Sequence, residues 1–420
     1  MGRLIPIVCN QLATLLIGLA GLTILTHVVP KDVYALYVLF MTLTQVGYLL
    51  THSGLVNHSS RYWQRESVQS GAYARFLWRA SWQASRVLAV LLFAWSLALA
   101  FYSQNVDWVW IFPILFGGNV ACALFTIAHA SLNAGGRLWP MCFLGVAANG
   151  TRALLPPLFA LAMGVSLAAL CVGFAVHSLV IVLSILLLFR EGWTTCGADV
   201  AIEAKWRHEL RVFGRPFVLM GIGSWLLLNA DRWIVAIFFG QARTADFGLA
   251  SSIAAIVPNL VCAGLLQLVF PAVFRQADAA QSEKDWRQLA RRCDGYSLVL
   301  IMVTVLGLLG LWLMGPYLVG ALISDRYAAS MPLLFPAGLA VLSTQVNQFQ
   351  YLLLQGQHNS LGMVKAMVTI SGLKTLGSMV AAAISWQAYL MWLSLSVVAV
   401  AVVGRYMIQK MALSPEKRKI

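Results

Sequence analysis

Asp231 and Arg232 lie side by side in GRPFVLMGIGSWLLLNADRWIVAIFFG, residues 214–240, a run otherwise apolar and long enough to cross a bilayer. An ion near mid-bilayer costs about 2.5–3.5 kcal/mol on insertion scales, so such a residue faces protein or a wet cavity and not lipid. A carboxylate there can take up and release a proton or hold a metal cation. A guanidinium there can hold an anion. At roughly 100° per residue, Gly221, Ser224, Asn229, Asp231 and Arg232 share an arc of about 160°, one small and polar face. Adjacent residues point about 100° apart, so the cation that offsets Asp231 is expected from another segment. The other use of such groups is structural: buried pairs that tie helices together.

Two further cations stand deep in apolar runs: Arg152 in 141–163 and Lys374 in 362–383. Each lies roughly a dozen residues into its run, too far for easy snorkelling. Neither has an acid nearby in sequence, so both are expected to need an anionic ligand. Arg offers a planar fork for bidentate phosphate contact, and Lys a mobile point charge. Their contexts align, Asn149-Gly150-Thr151-Arg152 with Ser371-Gly372-Leu373-Lys374, each with a glycine two residues before the cation. Pro156 and Pro157 deprive the carbonyls of Arg152 and Ala153 of their helical partners.

The elements that must position these groups follow from composition. The 420 residues are 60% hydrophobic and only 10% charged, far from the roughly 45–50% apolar content of soluble domains. Apolar runs of about 20 residues predict twelve transmembrane helices, at 4–29, 33–56, 82–102, 108–133, 141–163, 166–189, 214–239, 245–271, 296–322, 330–355, 362–383 and 386–408. Twenty-two Lys and Arg fall on one side of this map and three on the other (Lys31, Arg243 and Arg326). That bias predicts cytoplasmic termini and cytoplasmic loops around Arg65, Lys205 and Arg287. It also accounts for the net charge of +14 without nucleic acid. The seven cysteines show no metal-ligand spacing.

The chain reads as two six-helix halves, 1–192 and 214–420, joined by a hydrophilic cytoplasmic linker at 193–213. Besides the two cation motifs, Tyr34-Ala35-Leu36 matches Phe247-Gly248-Leu249. Halves with an even number of spans are parallel repeats, related by an axis along the membrane normal that commonly runs through a substrate cavity. The first span carries a stripe of Asn10, Thr14, Gly18 and Gly21, suited to close helix approach or to lining a groove. The tenth carries Ser343, Thr344, Gln345, Asn347, Gln348 and Gln350, suited to interhelical hydrogen bonds or a cavity wall. No phosphate-binding Gly-Lys-Ser/Thr loop, nucleophile elbow, zinc-protease helix or carboxylate pair occurs. The outer loops are short, so an enzyme is not expected.

Several motifs together carry a resemblance: Asp231-Arg232 in the seventh span, Gly240 with Asp246-Phe247-Gly248-Leu249, Val269-Phe270-Pro271-Ala272-Val273-Phe274-Arg275, and Gly54-Leu55 with Arg61-Tyr62. The chain resembles the bacterial O-antigen and exopolysaccharide flippases of the multidrug/oligosaccharidyl-lipid/polysaccharide exporter superfamily. His358, after the Gln-Gly of the tenth span, departs from the common pattern. The resemblance implies an all-α, MATE-like pair of six-helix bundles in the bacterial inner membrane. It implies alternating access that moves undecaprenyl-diphosphate-linked oligosaccharide from the inner to the outer leaflet. Arg152, Lys374 and Arg232 are the expected substrate contacts, and Asp231 the ion-coupling or gating carboxylate. No cofactor is expected beyond a proton or sodium gradient. The expected partners are the lipid-linked oligosaccharide, membrane lipids, and polysaccharide polymerase and chain-length proteins, around a monomer. The alternatives are a cation-coupled multidrug antiporter of the same superfamily and a membrane-embedded transferase acting on lipid-linked sugar.

Overall fold

The computed structural model describes residues 4–63, 70–103, 107–189, 200–214, 216–357 and 359–413. Arg65, His358 and the first part of the expected linker, through Asp199, lie outside them. The described residues are helical throughout, with no strand among them, and divide into two compact units, Met1–Ile222 and Gly223–Ile420.

The first unit holds α1 (Leu4–Val28), α2 (Lys31–Tyr62), α3 (Ser70–Ser103), α4 (Asp107–Ala134), α5 (Leu138–Met163), α6 (Leu167–Leu188) and a short α7 (Val200–Glu209) that runs into a π turn at Leu210–Gly214. Helix α8 (Phe217–Ala254) begins in it and continues into the second unit. There follow α9 (Ile256–Ala279), α10 (Glu283–Leu322), a 3-10 segment (Asp325–Leu333), α11 (Leu334–Gln345), α12 (Gln348–Gly356), α13 (Ser360–Ile384) and α14 (Trp386–Leu413).

Among the described residues, nine stretches are long and apolar enough to span a bilayer. One of them, Phe217–Phe270, is 54 residues long. At 1.5 Å per residue it would far exceed a hydrocarbon core of about 30 Å, so it makes two passes. The turn between them is at Gly240, whose φ of 80° and ψ of 178° break the helix. Few side chains other than glycine tolerate that backbone. Helices α3 and α5 complete the twelve passes. Arg75, Arg79 and Arg86 keep α3 from reading as purely apolar. This is a multi-pass membrane protein.

The helix ends differ from expectation in three places. Gln241–Thr244, expected as an outer loop, is helical, because Gly240 alone turns the chain. The tenth span is not one helix: it starts as a 3-10 segment and is interrupted at Val346–Asn347, inside its polar run. The expected linker contains α7, which docks on the first unit. Trp206 is fully buried, 5.1 Å edge-on from Tyr73 and 5.6 Å from Phe76, and Glu203 pairs with Arg79 at 3.2 Å. A polar stretch with one Trp on its inner face gave little hydropathy signal for this docking.

The α1 stripe serves mainly as a packing seam against α5. Asn10 meets Gly145, Thr14 accepts a hydrogen bond from Asn149 Nδ2 at 3.4 Å, and Gly21 sits on Ala153. A β-carbon on Gly21 would lie 2.5 Å from the Ala153 carbonyl oxygen, which Pro157 leaves without an N–H partner, and 2.6 Å from the Ala153 β-carbon. Gly18 faces open space. Gly21→Val is therefore expected to destabilise the fold by about 1–3 kcal/mol through overpacking, whereas Gly18→Val should not. Melting temperatures of the two variants in detergent decide this, and equal melting would remove the seam.

On the second unit, α10 starts with a capping box. Ser282 Oγ accepts from Asp285 N at 3.2 Å while Asp285 Oδ2 accepts from Ser282 N at 2.9 Å. These hydrogen bonds hold the Asp285 carboxyl below the usual carboxylate range.

Candidate functional site

Helix α8 presents Asp231 to α13. Its Oδ2 lies 2.9 Å from Lys374 Nζ, with side-chain exposures of 11% and 3%. Ser378 Oγ donates to Asp231 Oδ1 at 2.9 Å, and the Tyr389 hydroxyl donates to the Asp231 carbonyl at 3.3 Å. Lys374 Nζ also donates to the carbonyls of Leu227 (3.0 Å) and Ala340 (3.2 Å). An ammonium has three donors, and here one goes to the acid and two to backbone.

The expectation that Lys374 lacks an acid is thus corrected. Asp231 is 143 positions away in sequence but one helix away in space, and Lys374 has no N–H left over in this arrangement. The cation that offsets Asp231 comes from another helix, as the angular spacing predicts. Arg232, next in sequence, is half-buried. The Trp392 indole N–H donates to the Lys374 carbonyl at 3.2 Å, so α14 supports the pair from behind.

Arg152 stands at the matching position of the first unit, in a different state. Its side chain is exposed, and among the described residues no hydrogen bond or ion pair engages it. The groups that feel its charge are Tyr37 and Tyr48 of α2, Cys122 of α4 and His177 of α6. The guanidinium therefore lies on the side of α5 that meets its own bundle. The His177 ring, 2.7 Å from Thr151 Oγ1, packs beside it.

Asp231 of α8 meets Lys374 of α13, whereas α1 packs Gly21 against Ala153 of α5. One unit neutralises its cation internally, and the other leaves it available.

Asp294 lies inside the unbroken α10, where Arg405 pairs with it at 2.9 Å and Gln409 donates to both of its oxygens. This network ties α10 to α14. Its partners are more than 100 positions apart, out of reach of any spacing argument.

No protein-family profile and no curated protein matches the chain. Among solved structures, the Vibrio cholerae MATE transporter VcmN is similar at 15% identity and a TM-score of 0.64, with 98% of this chain and 95% of that one covered. A MOP superfamily transporter from Pyrococcus furiosus, described as having a binding pocket of reverse polarity, is similar at 12% identity and a TM-score of 0.61, with 97% and 95% covered. An inward-facing MATE transporter is similar at 13% identity and a TM-score of 0.61 over the full length of both chains. An outward-facing one is similar at 13% identity and a TM-score of 0.64, with 98% and 94% covered. At such identities the likeness concerns the fold. The chain has the MATE-like fold expected from its sequence.

Proposed function

We propose that this protein is a flippase of the bacterial inner membrane, with cytoplasmic termini, that moves polyprenyl-diphosphate-linked oligosaccharide between leaflets by alternating access. The observation that carries the reading is the unengaged guanidinium of Arg152, deep in a span and on the bundle side of α5. A guanidinium is well matched to a diphosphate, which it can grip through paired, charge-assisted hydrogen bonds. The fold supports the transport half of the reading, since solved proteins of this shape are described in both inward- and outward-facing conformations.

In this reading Arg152 contacts the diphosphate, and Asp231 is the coupling carboxylate. Lys374 joins the substrate contacts only when Asp231 takes up a proton and no longer claims its ammonium. Within the first unit, an exposed cation deep in α5 also favours an anionic cargo over the organic cations of a multidrug antiporter.

The test is transport by the purified protein in liposomes. Fluorescent undecaprenyl-diphosphate oligosaccharide should become accessible on the opposite leaflet, and a cationic dye such as ethidium should not be moved. Dye transport under a proton or sodium gradient, with no movement of the lipid, would install the antiporter reading instead.

A further inference from the structure

Within the unit Gly223–Ile420, a cavity of about 460 Å³ lies beside the interruption between α11 and α12. That volume is within the roughly 300–1,000 Å³ of small-molecule sites. Its polar lining is Ser224, Asn259, Thr344, Gln345 and Gln348, two hydroxyls and three carboxamides, and no charged side chain lines it. Leu227, Leu266 and Met367 form apolar wall. Non-helical backbone at membrane depth persists where it is buried or lines a cavity, and interrupted helices commonly build the binding sites of transporters.

One member of the lining is short of a partner. Gln345 donates its amide to Asn259 Oδ1, but Gln345 Oε1 is buried and accepts no hydrogen bond among the described residues. A buried acceptor left without a donor is destabilising.

The chemistry of the lining selects the ligand class. Carboxamides and hydroxyls both donate and accept, as do the hydroxyls of a sugar, while the apolar wall suits the C–H face of a pyranose. A phosphate would call for Arg or Lys, and an organic cation for a carboxylate; neither is present. We infer that this cavity recognises an uncharged glycosyl unit of the cargo. The inference rests on the lipid-linked glycan reading above.

The cavity is also wired to the ion pair. Leu227 lines it and lends its carbonyl to Lys374, and Ala340, the other carbonyl partner, precedes Thr344 and Gln345 on α11. A sugar that shifts α11 against α8 moves both carbonyls that hold the ammonium.

The experiment measures binding of three lipids to the full-length protein in nanodiscs: undecaprenyl diphosphate that is bare, or carries one N-acetylglucosamine, or one galactose. At least one glycosylated lipid should bind tenfold or more tightly than the bare lipid. That advantage should vanish in Gln345→Leu/Gln348→Leu, and independently in the cavity-filling Ala263→Trp, while affinity for the bare lipid is unchanged in whichever variant melts like the parent. An advantage that survives in a folded variant overturns the proposal. Equal affinity for all three lipids in the parent protein also overturns it, and leaves the diphosphate reading standing. Binding of none of them removes the flippase reading itself.

Discussion

Lys374→Gln is expected to cost about 3–5 kcal/mol of stability, because it leaves the Asp231 carboxylate buried without its counter-charge. The same substitution strips the Leu227 and Ala340 carbonyls of their shared donor. The double variant Asp231→Asn/Lys374→Gln should recover most of that loss. It removes both ions together, and a neutral buried pair costs far less than a single buried charge. Denaturant or thermal melts in detergent read both numbers. A double variant as unstable as the single would show that the ions act independently, contrary to the 2.9 Å contact. In transport, the double variant should be folded yet insensitive to the imposed proton or sodium gradient, since the group that exchanges the coupling ion is gone.

Arg152→Gln should behave in the opposite way. With no partner to abandon, it is expected to leave the protein at least as stable as the parent, since it removes a charge deep in a span. Translocation of lipid-linked oligosaccharide should nevertheless fall at least tenfold, about 1.4 kcal/mol. Arg152→Lys should be intermediate, because a point charge lacks the bidentate fork. Wild-type transport by Arg152→Gln, with protein levels in the membrane matched, would remove the diphosphate contact.

The contrast between these two cations marks the boundary of what the sequence could tell. Both were visible as charges deep in apolar runs, and their glycine-spaced contexts marked them as equivalent. What separates them is Asp231, which Lys374 meets on another helix and which has no counterpart at Arg152 among the described residues, and spacing along one chain carries no information about that. The positions of the spans were legible because a bilayer imposes a length on every apolar run. The interruption at Val346–Asn347 was not, because a polar run reads alike whether it bonds to a neighbouring helix or breaks its own. Gly240 was an intermediate case: its position between two spans was plain, but not that one residue would make the whole turn.

The docking of α7 means that the covalent and the folded halves of this protein are not the same objects. Residues 200–222 come after the expected first half in the chain, yet belong by packing to the first unit. The peptide is spliced at one point and the architecture at another, like a tenon cut from one beam and seated in the next. Severing the chain within 190–199 would therefore not release two independent bundles. The second fragment would still carry Trp206 and Glu203, whose sockets, Tyr73, Phe76 and Arg79, are on the first. A split version of this protein would come already fitted with its own fastener.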